Sequence, residues 1–191
     1  MTADHWDQAT NLYRSLIERA PAWPEALLAY ANFLLYSKGP HSQKYLDSTT
    51  SLAIYQEAQD QTDSLLRLAP DHSKYQREAS ASYERLGDLH LRLGDTKTAL
   101  QFFQQALDSR IQLVALDPKD SQFQRGLFVS YYKMSTLYRA DGLLDAALAL
   151  DYLRKAHQQL LDMQKKGILA PDDERFISRL ADEITTLENT E

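Results

Sequence analysis

The chain has 191 residues, of which 43% are hydrophobic and 25% charged, and this is long enough for one domain with a sizeable buried core. Its net charge of −6, with no basic cluster denser than Lys165-Lys166, argues against a nucleic-acid binder, because such proteins rely on a basic surface. Cysteine is absent, and neither a signal-type hydrophobic stretch after Met1 nor an apolar run of membrane-spanning length occurs, so we expect a cytoplasmic protein without disulfides.

The hydrophobic spacing predicts eight helices and no strand. Turn signals such as Pro21, Gly94-Asp95 and Asp117-Pro118 separate segments in which apolar residues recur at intervals of three and four. A proline pushes the residue before it out of the helical region, so a helix ends ahead of Asp117-Pro118. In chain order, the predicted helices are 4–20, 24–36, 46–68, 72–93, 96–116, 120–140, 145–165 and 172–187.

The predicted helices form an internal repeat. A single shift along the chain places Pro70 on Pro118, and it also superposes Gln76-Arg77 on Gln124-Arg125. This shift of about 48 residues, which we call the repeat offset, is in the range typical of helical repeat arrays. Each repeat is then a pair of amphipathic helices, and two long helices joined by a short turn lie antiparallel.

In the middle repeat, aromatic, large and small residues alternate over two helices, at Tyr83, Leu86, Gly87, His90, Ala99, Phe103 and Ala106. This pattern resembles that of the tetratricopeptide repeat (TPR) family. The resemblance implies an all-α, antiparallel helix-pair solenoid, wound as a right-handed superhelix of about eight helices. We expect a single TPR-like domain over 1–191, with helix pairs at 24–70, 72–118 and 120–166.

Two features depart from the family pattern. The usual TPR repeat has about 34 residues, so the repeat offset here is longer than the family's. The first repeat also contains an insertion that includes Gly39-Pro40. Such long repeats look like the arrays attached to bacterial signalling or protease modules.

The two ends of the array are predicted to differ. Residues 1–21 match the second helix of a repeat, and their apolar stripe is wider than one neighbouring helix pair would cover. We therefore expect self-association through residues 4–20, or a contact there with another protein. Residues 172–188 are predicted to form a C-terminal capping helix, because Ser178, Arg179, Asp182 and Glu183 suit a solvated surface.

No pattern in the sequence indicates catalysis, a cofactor or a metal. The five histidines include no helical i, i+4 pair, and Asp141-Gly142 with Asp145 is too short for a calcium loop and is interpreted as a turn. The carboxylates of Glu84 and Asp88 lie one helical turn apart, but the neighbouring Arg85 and Arg92 favour a salt-bridged surface.

The TPR resemblance implies that the first helix of each repeat lines a concave groove that binds protein segments. The groove positions in this sequence are Leu28, Asn32, Leu35, Tyr36, Glu84, Asp88, Leu91, Arg92, Tyr132, Thr136 and Arg139. Chaperone-binding members hold a peptide carboxylate with a Lys and Asn set. Here Leu28 occupies the lysine position and the two carboxylates would repel such a ligand, so a chaperone tail is not expected.

The sequence therefore predicts a non-enzymatic, scaffolding or regulatory module that binds a partner peptide or helix carrying some basic residues. The alternative is the regulatory or sensor segment of a larger signalling ATPase or protease. No nucleic-acid or membrane partner is expected.

Overall fold

The computed structural model describes residues 3–36, 48–140 and 143–189. Over these residues it contains eight α-helices and no strand, which confirms the predicted all-α class. The helices are α1 (Ala3–Arg19), α2 (Pro24–Tyr36), α3 (Ser48–Leu68), α4 (Ser73–Arg92), α5 (Thr96–Leu116), α6 (Ser121–Tyr138), α7 (Ala146–Lys165) and α8 (Arg175–Glu188).

Most predicted helix ends lie within two residues of the observed ones. The last helix is the exception, because α8 begins at Arg175 and a separate 3-10 turn, Pro171–Asp173, precedes it. The Gly39-Pro40 insertion, the predicted helix start at residues 46–47 and the Asp141-Gly142 turn lie outside the described residues.

The chain forms two compact units, divided between Leu93 and Gly94. The N-terminal unit contains α1 to α4 and the C-terminal unit contains α5 to α8. Within each unit, helices that follow one another in sequence pack together. The connections 69–72 and 117–120 are short, so the helices they join are antiparallel, as the TPR resemblance implies.

The repeat offset of the sequence is also an offset of the structure. Helices α3 and α5 are equally long, and each end of α5 lies one repeat offset after the corresponding end of α3. One hydrogen bond recurs at the same spacing: the Gln76 amide donates to the carbonyl of Pro70 at 2.9 Å, and the Gln124 amide donates to that of Pro118 at 2.7 Å. The same hydrogen bond therefore stabilises the connection between two helices in each unit.

Aromatic stacking is one of the contacts that hold helix α1 to the N-terminal unit. The Trp6 ring is 4% exposed and stacks on Phe33 at 4.3 Å, and Tyr13 stacks on Tyr30 at 5.1 Å. Leu12 and Leu16 stay 72% and 36% exposed. Part of the predicted apolar stripe is thus covered by α2, and the rest of it is exposed.

One hydrophobic cluster of the C-terminal unit lies between α6, α7 and α8, and its buried members are Phe128, Leu153, Ala156, Leu160, Met163 and Leu180. Helix α5 adds further buried residues to this unit, among them Phe103 and Leu113. Aspartate caps start the helices: the side chain of Asp120 accepts from two backbone N–H groups of α6, and Asp95 and Asp145 each accept one from α5 and α7. Helix α8 buries only Leu180 completely, and its opposite face is polar and exposed.

Candidate functional site

The predicted groove residues of the N-terminal unit lie on α2 and α4, and most of them are accessible. Leu28 and Asn32 are half-buried, and Tyr36 is 53% exposed. Leu35 is the exception, because it is 1% exposed and belongs to the core. The assignment of Leu35 to the groove was wrong: it lies one helical turn after the fully buried Ala31, so it continues the buried stripe of α2.

Tyr36 connects α2 with α4 at this surface. Its hydroxyl donates a hydrogen bond to Glu78 Oε2 at 3.1 Å, and the Arg85 guanidinium lies 5.2 Å from the centre of its ring. Burial of the hydroxyl, together with the charge of Glu78 and the hydrogen bond to it, raises the pKa of Tyr36 to about 12. The ring is therefore fixed as a neutral aromatic platform beside α4.

Four further predicted residues form the accessible face of α4. Glu84, Asp88 and Leu91 are half-buried, and Arg92 is also accessible. Both carboxylates already interact with neighbouring groups. A partner could contact this surface without unfolding the helix.

In the C-terminal unit, α6 and α8 border an open cleft of about 450 Å3, which we call the α6–α8 cleft. It is lined by Arg139, Ser178, Arg179, Asp182, Glu183, Thr186 and Leu187. Arg139 is one of the predicted groove residues. The lining residues of α8 were missed, because their polarity was interpreted as a solvated cap. Their spacing gave a usable signal, since positions 178, 182 and 186 recur at intervals of four and share one helix face.

A polar contact also connects the predicted residue Tyr132 with α8. The Arg179 guanidinium donates to the Tyr132 hydroxyl at 3.3 Å and, through Nε, to Glu183 at 3.1 Å. Arg139 donates to the same carboxylate at 3.4 Å. Thr136 is exposed one turn along α6, and its hydroxyl donates to the carbonyl of Tyr132 at 3.0 Å. Tyr132 and Arg139 thus both contact side chains of α8, whereas Thr136 is exposed on α6 and is not among the lining residues of the cleft.

Two ion pairs hold α8 in place around the cleft. Arg125 on α6 donates to both carboxylate oxygens of Asp173, at 2.6 and 3.2 Å, and this buried carboxylate ends the 3-10 turn before α8. At the other end of the helix, Arg154 on α7 pairs with Glu188 at 2.6 Å. The bidentate geometry of the first pair restricts both position and orientation of the α8 start.

A smaller cavity of about 250 Å3 lies in the N-terminal unit beside α1. One of its polar lining residues is Glu57, whose carboxylate accepts from the Arg14 guanidinium at 2.7 and 2.6 Å and from the Tyr30 hydroxyl at 2.6 Å. Burial opposes ionisation of Glu57, but the hydrogen bonds from Arg14 and Tyr30 outweigh it and lower the pKa of Glu57. The carboxylate is fully engaged in holding α1 and α2 to α3.

Within the described ranges, no group of three or more His, Asp or Glu side chains is arranged to hold a metal ion. In the same part of the chain, no helix has the length and apolar character that crossing a membrane requires.

No protein-family model matches the sequence, and no curated protein matches it. Among solved structures, the chain is similar to a thermophilic TPR protein of Thermus thermophilus. The identity is 17%, the match covers 93% of this chain and 89% of that chain, and the TM-score is 0.46. A likeness this distant says nothing about residues or partners, so the site is interpreted from the geometry of this chain.

Proposed function

We propose that the chain is a non-catalytic protein-interaction module, built from long TPR-like repeats, that binds a partner peptide or helix on the first helices of those repeats. Its role is scaffolding or regulatory, and it needs no cofactor. The α6–α8 cleft is the main contact in the C-terminal unit, and the exposed face of α4 with Tyr36 is the contact in the N-terminal unit.

The observation that carries this proposal is the arrangement around the α6–α8 cleft. Two residues chosen from sequence, Tyr132 and Arg139, contact Arg179 and Glu183 on the polar face of α8, and Arg139 lines the open cleft there. A half-buried tyrosine and two guanidinium groups combine contact area with directional hydrogen bonds. Aromatic residues and arginine are enriched at interfaces. A rigid helical scaffold supplies them without loop ordering.

Crosslinking at single positions tests this proposal. A photoreactive phenylalanine analogue replaces Thr136 in one full-length variant and Tyr36 in another, and each variant is irradiated in an extract of the source cells. Gln158, exposed on α7 away from the cleft lining, is the matched control position. We expect the same partner adduct at positions 36 and 136 and none at position 158. Adducts of equal yield at all three positions would contradict a specific binding surface.

A further inference from the structure

The arginines of the α6–α8 cleft differ from the other cross-helix arginines in how tightly they are held. Elsewhere, the N···O distance is 2.6 Å in each of the pairs Arg14–Glu57, Arg125–Asp173 and Arg154–Glu188. In the cleft, Arg139 lies 3.4 Å from Glu183 and 3.4 Å from its second acceptor, the carbonyl of Ser135. Charge-assisted hydrogen bonds normally measure about 2.7–2.9 Å, so both hydrogen bonds of Arg139 are long and weak.

One carboxylate, Glu183, contacts both guanidinium groups of the cleft, whose lining also includes Asp182. Glu183 accepts from Arg179 through one oxygen and from Arg139 through the other. A guanidinium has five N–H donors, and Glu183 accepts a hydrogen bond from only one donor of each arginine. Glu183 also shows which ligand fits, since it already places a carboxylate between the two cations.

From this geometry we infer that the α6–α8 cleft recognises an acidic side chain, Asp or Glu, of the partner segment, and that Glu183 is a built-in competitor for the same two arginines. The inference rests on the proposed function and names the chemistry of the partner at this cleft. The partner carboxylate takes over the donors of Arg139 and Arg179 that Glu183 holds loosely. The Tyr132 hydroxyl, already bonded to Arg179, keeps that guanidinium facing the cleft.

Nuclear magnetic resonance of the full-length 15N-labelled chain tests the inference with three synthetic probes. They are acetyl-Leu-Glu-Leu-amide, the same peptide with Gln in the centre, and acetyl-Leu-Gln-Leu with a free C-terminal carboxylate. The readouts are the side-chain Nε–Hε signals of Arg139 and Arg179 and the backbone amides of α8. We expect the Glu peptide to shift these signals in a saturable way, and the Gln amide to leave them nearly unchanged.

Three variants separate recognition from structure. Arg139→Gln and Arg179→Gln should each abolish the response to the Glu peptide. Glu183→Gln should strengthen it, with a dissociation constant lower by about two- to fivefold, which is the typical worth of an exposed ion pair. Arg154→Gln is the matched control, because it removes another arginine that pairs with α8 but lies outside the cleft lining, and it should change nothing. Circular dichroism melts establish that each variant is folded.

The possible outcomes distinguish the inference from the proposed function. Equal shifts by the Glu and Gln amides would overturn carboxylate recognition, while peptide binding at the cleft would stand. A response confined to the free C-terminal carboxylate would overturn the choice of an acidic side chain. No response to any probe, or unchanged affinity in Glu183→Gln, would also overturn the inference, and the crosslinking yields would still decide the proposed function.

Discussion

The two units of the chain have different polar side chains at equivalent buried positions of the repeat. In the C-terminal unit, the buried Arg110 donates to the carbonyl of Gly126 at 3.1 Å and to the hydroxyl of Ser130 at 2.9 Å. The positions one repeat offset earlier hold Thr62, Glu78 and Ser82. There, Thr62 donates locally to the carbonyl of Gln59, and the buried Ser82 hydroxyl has no hydrogen-bond partner within the described part of the chain.

The Arg110 side chain packs directly against the backbone at Gly126. A Cβ atom on residue 126 would lie 3.4 Å from Arg110 Nε, at the short end of ordinary van der Waals contact. Glu78, at the equivalent place in the N-terminal unit, instead directs its carboxylate to Tyr36 and Arg77. The comparison teaches that the repeat preserves the helices and their hydrophobic contacts, while the polar contacts between helices are specific to each unit.

The largest effect is expected from removing the buried guanidinium. Arg110→Met nearly keeps the length of the side chain but leaves the Ser130 hydroxyl and the Gly126 carbonyl without their donor, so the free energy of unfolding should fall by about 3 kcal/mol. Thr62→Val, at the equivalent position, removes one local hydrogen bond and should cost about 1 kcal/mol. Urea unfolding followed by circular dichroism measures both. Equal losses would show that the two positions are energetically alike.

The next effect concerns acid and the attachment of α1. Because the pKa of Glu57 is lowered in the folded chain, its carboxylate stabilises the fold above the unfolded value of about 4.3, and this contribution disappears as the pH falls through the folded value. Glu57→Gln should therefore cost about 1 kcal/mol at pH 7 and much less at pH 3.

The measurement is a pair of urea titrations of the parent chain and of Glu57→Gln at each pH. The other carboxylates titrate in both proteins, so the difference between the two chains isolates Glu57. A difference that grows towards low pH would contradict the assigned sign.

The equivalent serines provide a closer test of the comparison. Ser130→Ala should lower the free energy of unfolding by about 1 kcal/mol, because it removes an acceptor of the buried Arg110. Ser82→Ala should be neutral or slightly stabilising, because it removes a buried hydroxyl that has no partner among the described residues and introduces a better helix former. The same chemical change is thus expected to have different consequences in the two units. Similar losses in both would show that Ser82 is satisfied in solution.

The sequence predicted the helices better than the site. The helix limits follow from apolar spacing and from signals such as Asp120, whose cap geometry depends only on neighbouring residues. The burial of Leu35 was missed, because a groove position was carried over from a family pattern whereas burial depends on which turn of α2 meets its neighbours. The α8 side of the cleft was missed for a related reason: Arg179 and Glu183 look like solvated residues until α6 is placed beside them. The spacing of the α8 residues indicates a shared helix face, but a single sequence does not show which helix lies beside that face.

The smallest effect on stability is expected at the surface of α4. Glu84 and Asp88 occupy the same repeat positions as Tyr132 and Thr136, so one unit presents carboxylates where the other presents an aromatic ring and a hydroxyl. Replacing both carboxylates by lysine should change the free energy of unfolding by only about 0.5 kcal/mol, because substitutions on a solvated helix face disturb little packing.

Binding should respond far more strongly than stability to this change. If basic residues of the partner contact α4, the lysine pair repels them, and crosslinking at position 36 should be lost. Crosslinking at position 136 reports the C-terminal unit separately, and its yield shows how much binding the α6–α8 cleft retains. Loss at position 36 with a folded chain assigns the basic part of the partner to the N-terminal unit. An unchanged yield at both positions would remove the α4 face from the binding surface and leave the α6–α8 cleft as the contact to pursue.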